Sequence, residues 1–204
     1  YKGLGSSAAV CTGRVPPALC AKEFGSDGML RIKARLLQAS PTAPLQSLFW
    51  AAGFSFSSAA VIEQVPYDPH LKNLFFGEEQ SMAARLWTSG WDFYTPVFSV
   101  AFHLWTRDYR PSFREVLEAP SHKLLERRAR QRVEELLRVA ELPRPDTEEK
   151  QLQEGEVRDE NKAAHAGLGV FGLGNARSLL QYQEFCGVDF VTKTISARSL
   201  DGGL

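Results

Sequence analysis

The segment 77–90, GEEQSMAARLWTSG, constrains the fold most strongly because it specifies a helix of fixed length. It opens with a glycine and two glutamates, and carboxylates at a helix N-terminus interact favourably with the free N–H groups and the helix dipole. Met82 and Leu86 lie four residues apart and therefore share one face, from which Arg85 points away. Gly90 ends the pattern. The sequence thus predicts a short amphipathic helix that packs one face on a core.

Other stretches before and after this helix have the composition of strands. Residues 29–37, MLRIKARLL, alternate apolar and basic residues and predict a half-exposed strand. Residues 49–62 are rich in aromatic and small residues and predict a buried strand or turn that leads into a short helix. Residues 94–105, YTPVFSVAFHLW, are β-branched and aromatic, which predicts a buried strand. Helices and strands in this mixture indicate an α/β fold.

The second half of the chain divides into three parts. Residues 121–142 place apolar side chains at helical spacing among dense charges and predict an amphipathic helix. Its arginines are interleaved with glutamates, which favours a solvated helix face over a nucleic-acid patch. Residues 143–165 are almost devoid of apolar side chains and predict a flexible linker. Residues 166–204 regain apolar character, so we expect a segment with a short helix that docks on the domain formed by residues 1–120.

Composition and charge exclude several classes of protein. Lys+Arg 24 balance Asp+Glu 24, so the chain lacks the basic excess of a general nucleic-acid or anionic-membrane binder. Its apolar stretches fall short of the roughly 20 residues that span a bilayer. Three cysteines without metal-like spacing favour a reducing, cytoplasmic compartment. The N-terminal residues 1–13 lack a starting Met, a basic flank and a continuous apolar core, which argues against a signal peptide, and we expect them to belong to the middle of a longer chain.

Four motifs occur in an order that resembles a known enzyme family. They are WAAGFSFS (50–57), VPYDP (65–69), LFFGEEQSMAARLWTSGWDFY (74–94) and FHLWTRDYRP (102–111). Together they resemble the catalytic half of glycosyltransferases that transfer N-acetylglucosamine (GlcNAc) to hydroxyproline, whose best-known members modify the adaptor subunit of SCF-type ubiquitin ligases. The order is also similar, more remotely, to that of polypeptide N-acetylgalactosaminyltransferases. Taken singly, the same aromatic and acidic residues are ordinary for a core and a helix start.

The resemblance implies a GT-A-type nucleotide-sugar transferase, of which residues 1–120 would be the C-terminal half of the catalytic domain. Such enzymes take acidic metal ligands from a DxD motif, and the 204 residues contain none. We therefore expect the chain on its own to have negligible transferase activity. The resemblance implies UDP-GlcNAc as donor and a hydroxyproline-bearing protein, such as an SCF adaptor, as acceptor.

The resemblance also assigns roles to individual residues. Glu78, and with less support Glu79, would bind sugar hydroxyls at the catalytic centre, since one carboxylate can accept two hydrogen bonds. The small turn Ala51-Ala52-Gly53 would let the backbone approach the donor. Trp50 and Trp91 would stack on sugar or acceptor, or equally would pack in the core.

Residues beyond 101 would hold the metal and the diphosphate. His103 would be an imidazole ligand of a divalent cation, in such sites usually Mn²⁺, which stabilises the charge on the departing diphosphate. Arg107 and Arg110 would contact that diphosphate. Two alternatives stay open. One is a related transferase that uses another sugar or a serine or threonine acceptor. The other is a non-catalytic remnant or interaction module that docks a partner on helix 121–142.

Overall fold

The computed structural model describes residues 15–101, 120–138 and 168–204. Within these segments short strands form two-stranded antiparallel sheets, which pair β1 with β2, β3 with β4 and β5 with β6. The strands are β1 (Pro17–Phe24), β2 (Leu30–Leu36), β3 (Leu45–Ser47), β4 (Phe93–Thr95), β5 (Val188–Asp189) and β6 (Thr194–Ile195). The α-helices are α1 (Ala60–Gln64), α2 (Glu78–Thr88), α3 (Pro120–Leu137), α4 (Leu179–Cys186) and α5 (Ala197–Leu200). This mixture of helices and strands agrees with the expected α/β class.

Strands β1 and β2 form a hairpin that confirms the strand predicted over 29–37. The chain reverses between Gly25 and Gly28, where the Gly25 N–H donates to the carbonyl of Met29 at 3.0 Å. Gly28 has a φ of 77°, a conformation that glycine adopts without steric cost. Leu30 is buried, whereas the side chains of the last four residues of β2 are exposed. In β2 only the turn-proximal end is therefore buried, whereas β1 buries Ala18, Cys20 and Ala21.

The structure confirms the predicted start and end of helix α2, but the helix is buried on more than one face. Every residue from Gln80 to Thr88 is buried, because α3 and α4 pack against the helix and the turn-proximal end of the hairpin contacts its first turn. Gly77 precedes the helix with a φ of 116°, and a Cβ at this position would lie 2.7 Å from the sulfur of Met29. A glycine is thus required where the chain enters α2.

Arg85, which was predicted to point away from the core face of α2, is itself buried, with 1% of its surface exposed. Its Nη2 donates to the carbonyl of Pro66 at 2.7 Å and to that of Val170 at 3.3 Å. Its Nε donates to the carbonyl of Gly172 at 3.4 Å. The guanidinium therefore joins α2 to the loop after α1 and to the C-terminal segment.

The strand predicted over 94–105 is wrong for most of the part that the structure describes. Strand β4 ends at Thr95, after three residues paired with β3. Pro96 follows directly, and proline cannot donate the N–H that a ladder needs. Beyond it Phe98 and Val100 are about half exposed. Residues 102–105 lie outside the described residues.

Helix α3 confirms the amphipathic helix predicted over 121–142 as far as Leu137; residues 139–142 lie outside the described residues. Ala129, Val133 and Leu136 are fully or almost fully buried. Arg127 and Arg128 are exposed, as the prediction of a solvated face requires. None of the helices in the three described segments is long and apolar enough to cross a membrane.

The segment from Leu168 to Leu204 packs on α2 through helix α4. Ser178 caps α4, where its hydroxyl accepts the N–H of Gln181 and the Gln181 side chain accepts the N–H of Ser178. The buried ring of Tyr182 lies 5.5 Å from the Trp87 ring of α2. The predicted linker 143–165 lies outside the described residues, and the division of the chain into domains stays a prediction.

Candidate functional site

The first turn of α2 and the turn Ala51-Ala52-Gly53 lie side by side. The backbone N–H of Ala52 donates to Oε1 of Glu79 at 2.8 Å, across 27 positions of sequence. Gln80 anchors the same helix turn on the other side, since its Oε1 accepts the N–H of Leu30 at 2.6 Å. The sequence-predicted turn and carboxylates are therefore parts of one local structure.

The turn itself faces solvent. Ala52 and Gly53 are exposed, and the residues that follow stay exposed as far as Ala59. A Cβ built on Gly53 would meet no atom within 4 Å. The glycine therefore does not relieve a contact within the described protein, and it leaves open space beside the backbone that a ligand can approach.

Trp50 forms the inner wall next to the turn. Its side chain is buried, and its Nε1 donates to the hydroxyl of Ser55 at 3.0 Å, which fixes the ring orientation. The ring of Tyr67 lies 6.3 Å away at a tilt of 52°, and this tyrosine is half exposed. Tyr67 was not among the predicted site residues, although it lies in the VPYDP motif and is thus a neighbour that the motif itself contained.

A small cavity of about 20 Å³ opens behind Glu79. This is roughly the room needed for one water molecule and much less than a sugar needs. Glu79 lines it and Glu78 does not. Its wall also includes Trp50, Phe76, Gly77 and Gln80. The cavity is therefore too small to hold a sugar.

Partial burial changes the proton affinity of both carboxylates. Burial raises the pKa of Glu78, and the neighbouring charge of Glu79 raises it further. Burial also raises the pKa of Glu79, while the hydrogen bond from Ala52 opposes this effect. A poorly solvated carboxylate is a strong hydrogen-bond acceptor, so this pair suits hydroxyl recognition.

The family comparison identifies the class of protein to which the chain belongs. A family model described as Glycosyltransferase (GlcNAc) matches residues 1–192. The chain belongs to this glycosyltransferase (GlcNAc) family. No curated protein and no solved structure matched the chain. Membership implies a nucleotide-sugar donor and a transferase reaction.

Trp91 lies apart from the other site residues of this GlcNAc-transferase family member. It follows the C-terminal end of α2, and the 11 residues of that helix span about 16 Å at 1.5 Å per residue. Its backbone N–H donates to the carbonyl of Leu86 at 3.1 Å, and the ring packs partly against the core. Trp50 and Glu79 are thus brought together by the structure, and Trp91 is not.

The remaining predicted site residues of the transferase lie outside the described residues. These are the predicted metal ligand and the two predicted diphosphate contacts, His103, Arg107 and Arg110. In the part of the chain that is described, no three histidine, cysteine, aspartate or glutamate side chains gather into a possible metal site. The described residues thus do not form a metal site by themselves.

Proposed function

We propose that the chain is part of an enzyme that transfers GlcNAc from UDP-GlcNAc to hydroxyproline of a protein acceptor. The observation that carries the proposal is the hydrogen bond between Ala52 and Glu79. It joins two motifs that resemble donor-binding elements of GT-A-type glycosyltransferases, and the family match over residues 1–192 supports the transferase class.

The described residues would bind and orient the sugar. Glu78 has no hydrogen-bond partner within the described segments and lies at the N-terminus of α2, so its carboxylate can accept two sugar hydroxyls. The exposed backbone at Ala52 and Gly53 would contact the donor. Trp50 supports this turn from behind, and the half-exposed Tyr67 ring lies beside it. Fixing the donor in one orientation lowers the entropic part of the barrier.

Metal dependence, with Mn²⁺ as the expected ion, belongs to the same proposal. It rests on the resemblance of residues 102–111, in which His103 would bind the ion and Arg107 and Arg110 would bind the diphosphate. A bound cation would act as a Lewis acid toward the leaving diphosphate. The cytoplasmic location is likewise proposed, and it is supported by the free, buried thiols of Cys20 and Cys186.

The test is transfer by the full-length gene product. The protein is incubated with UDP-GlcNAc and a hydroxyproline peptide, with Mn²⁺ or with a chelator, and glycopeptide is detected by mass spectrometry. We expect transfer only with the metal and only to the hydroxyproline form. Transfer to serine or threonine, or from another sugar nucleotide, would replace the proposed acceptor or donor. No transfer from any donor would favour a non-catalytic role.

Two variants separate the assigned residues from the rest of the surface. Glu78→Gln should impair donor use while the protein stays folded, and His103→Ala should abolish metal-dependent transfer. Glu63→Gln is the matched control, because Glu63 is an exposed glutamate on α1. Unchanged turnover in Glu78→Gln or His103→Ala would contradict the role given to that residue.

A further inference from the structure

Three consecutive side chains in the first turn of α2 have different partners. Gln80 accepts the N–H of Leu30 in the hairpin, and Glu79 accepts the N–H of Ala52 in the exposed turn. The side chain of Glu78 makes no hydrogen bond to any residue that the structure describes. The two glutamates are therefore not equivalent: one is bound to the protein and the other is available to a ligand.

The bond to Glu79 is important because the loop it holds has few other attachments. Within the described segments, residues 51–57 are held by two hydrogen bonds. One joins Trp50 Nε1 to the hydroxyl of Ser55, and the other joins the Ala52 N–H to Glu79. Only the second fixes the backbone of the turn, and it fixes it to a helix whose following nine residues are buried.

A charged acceptor makes this bond strong enough to set a backbone conformation. Hydrogen bonds to an ionised group are roughly twice as strong as neutral ones. The carboxylate is partly buried, so water competes less for its oxygen than at a fully exposed site. Its position is also restricted by the cavity wall, which it shares with Trp50 and Gln80.

We propose that Glu79 is a positioning residue that holds the turn Ala51-Ala52-Gly53 in its donor-facing conformation through the Ala52 N–H. Direct contact with the sugar falls to Glu78. That the turn faces the donor rests on the proposed function, whereas the restraint that Glu79 places on the turn does not depend on it. It reverses the simplest interpretation of the Glu-Glu pair, in which both carboxylates bind the sugar.

The restraint is tested without any turnover. Solvent exchange of the Ala52 amide is measured by NMR in the wild type, Glu79→Ala, Glu79→Gln and the control Glu63→Gln. Glutamine keeps an acceptor oxygen at the same reach, and alanine keeps none. We expect exchange about tenfold faster in Glu79→Ala, as follows from losing a bond to a charged group, and a smaller change in Glu79→Gln. Equal exchange in the wild type and Glu79→Ala would overturn the proposal.

The donor role is tested by steady-state kinetics of the full-length protein with UDP-GlcNAc. Glu79→Ala should raise the donor KM about tenfold with a smaller change in kcat, since a disordered turn weakens donor binding. Glu79→Gln should recover most of the loss. A role confined to folding would instead lower the active fraction at constant KM, and that result would overturn the proposal. If wild-type protein transfers nothing from any donor, the donor-facing role is overturned together with the proposed function, whatever the amide exchange shows.

Discussion

Replacing Arg85 with methionine tests whether a buried guanidinium holds three parts of the chain together. A hydrogen bond to a charged group contributes about 1.5–3 kcal/mol, which applies to the 2.7 Å bond to the carbonyl of Pro66. The bonds to Val170 and Gly172, at 3.3 and 3.4 Å, are longer and add about 1 kcal/mol together. Burial lowers the pKa of Arg85, which shows that the buried charge itself is unfavourable.

Methionine fills most of the space and carries no charge. The absence of the desolvation cost of the guanidinium favours the variant by about 1 kcal/mol. The net loss for Arg85→Met is then about 1.5–3 kcal/mol, or about 3–12 °C in Tm at 2–4 °C per kcal/mol for a chain of this size. Differential scanning calorimetry measures the shift. Arg127→Met, an exposed position on α3, is the control and should change the free energy of unfolding by less than about 0.5 kcal/mol. A Tm within 1 °C of the wild type would refute the reasoning.

Three further predictions follow from single positions. Gly77→Ala should destabilise the fold by about 2 kcal/mol in denaturant titrations, because of its φ of 116° and the contact with Met29; measured in a Met29→Ala background, the cost of Gly77→Ala should be smaller but should not vanish, because the φ strain remains. Glu78→Gln should raise Tm at pH 7, because burial raises the pKa of Glu78. The stability contributed by the raised pKa is fully present below the usual glutamate pKa of 4.5 and is lost as pH rises, so the Tm gain should vanish near pH 4. Burial raises the pKa of the Cys186 thiol to about 12, so site-resolved mass spectrometry should find Cys186 unalkylated at pH 8 until denaturant is added.

The elements that could be predicted from the sequence are those specified by local pattern. Helix α2 lies between two glycines that both have positive φ, and α3 repeats buried residues at helical spacing. The strand over 29–37 alternates and follows a glycine turn. In each case the determining interactions join residues close in sequence, so a window of a dozen positions contains them.

The features that could not be predicted depend on contacts between distant residues. The burial of Arg85 follows from carbonyls at positions 66, 170 and 172, which no helical period reveals. The early end of β4 follows from the short partner strand β3 and from Pro96. Asp68 is similar: its carboxylate pairs with Arg132 at 2.6 Å, across 64 positions of sequence. Local composition favoured other outcomes at these positions, and tertiary packing decided them.

The candidate site also has parts that could be predicted from the sequence and parts that could not. The resemblance assigned the turn at Ala52 and the glutamates to one donor site, and the structure brings the Ala52 N–H to 2.8 Å from Glu79. Trp50 and Trp91 were assigned the same role because each is an aromatic residue within a motif. The structure places Trp50 beside Glu79 in the cavity wall and Trp91 beyond the other end of α2.

The geometry of an α-helix explains why adjacent side chains at the start of α2 have different partners. Successive side chains are rotated by about 100° around the helix axis. Three consecutive residues therefore point in three directions, and here Gln80 points to the hairpin while Glu79 points to the exposed turn. Glu78 takes the third direction. The start of the helix is fixed by Gly77, whose φ of 116° no other residue type adopts readily. The glycine thus sets where the helix begins, and with it the direction in which each of the three side chains points.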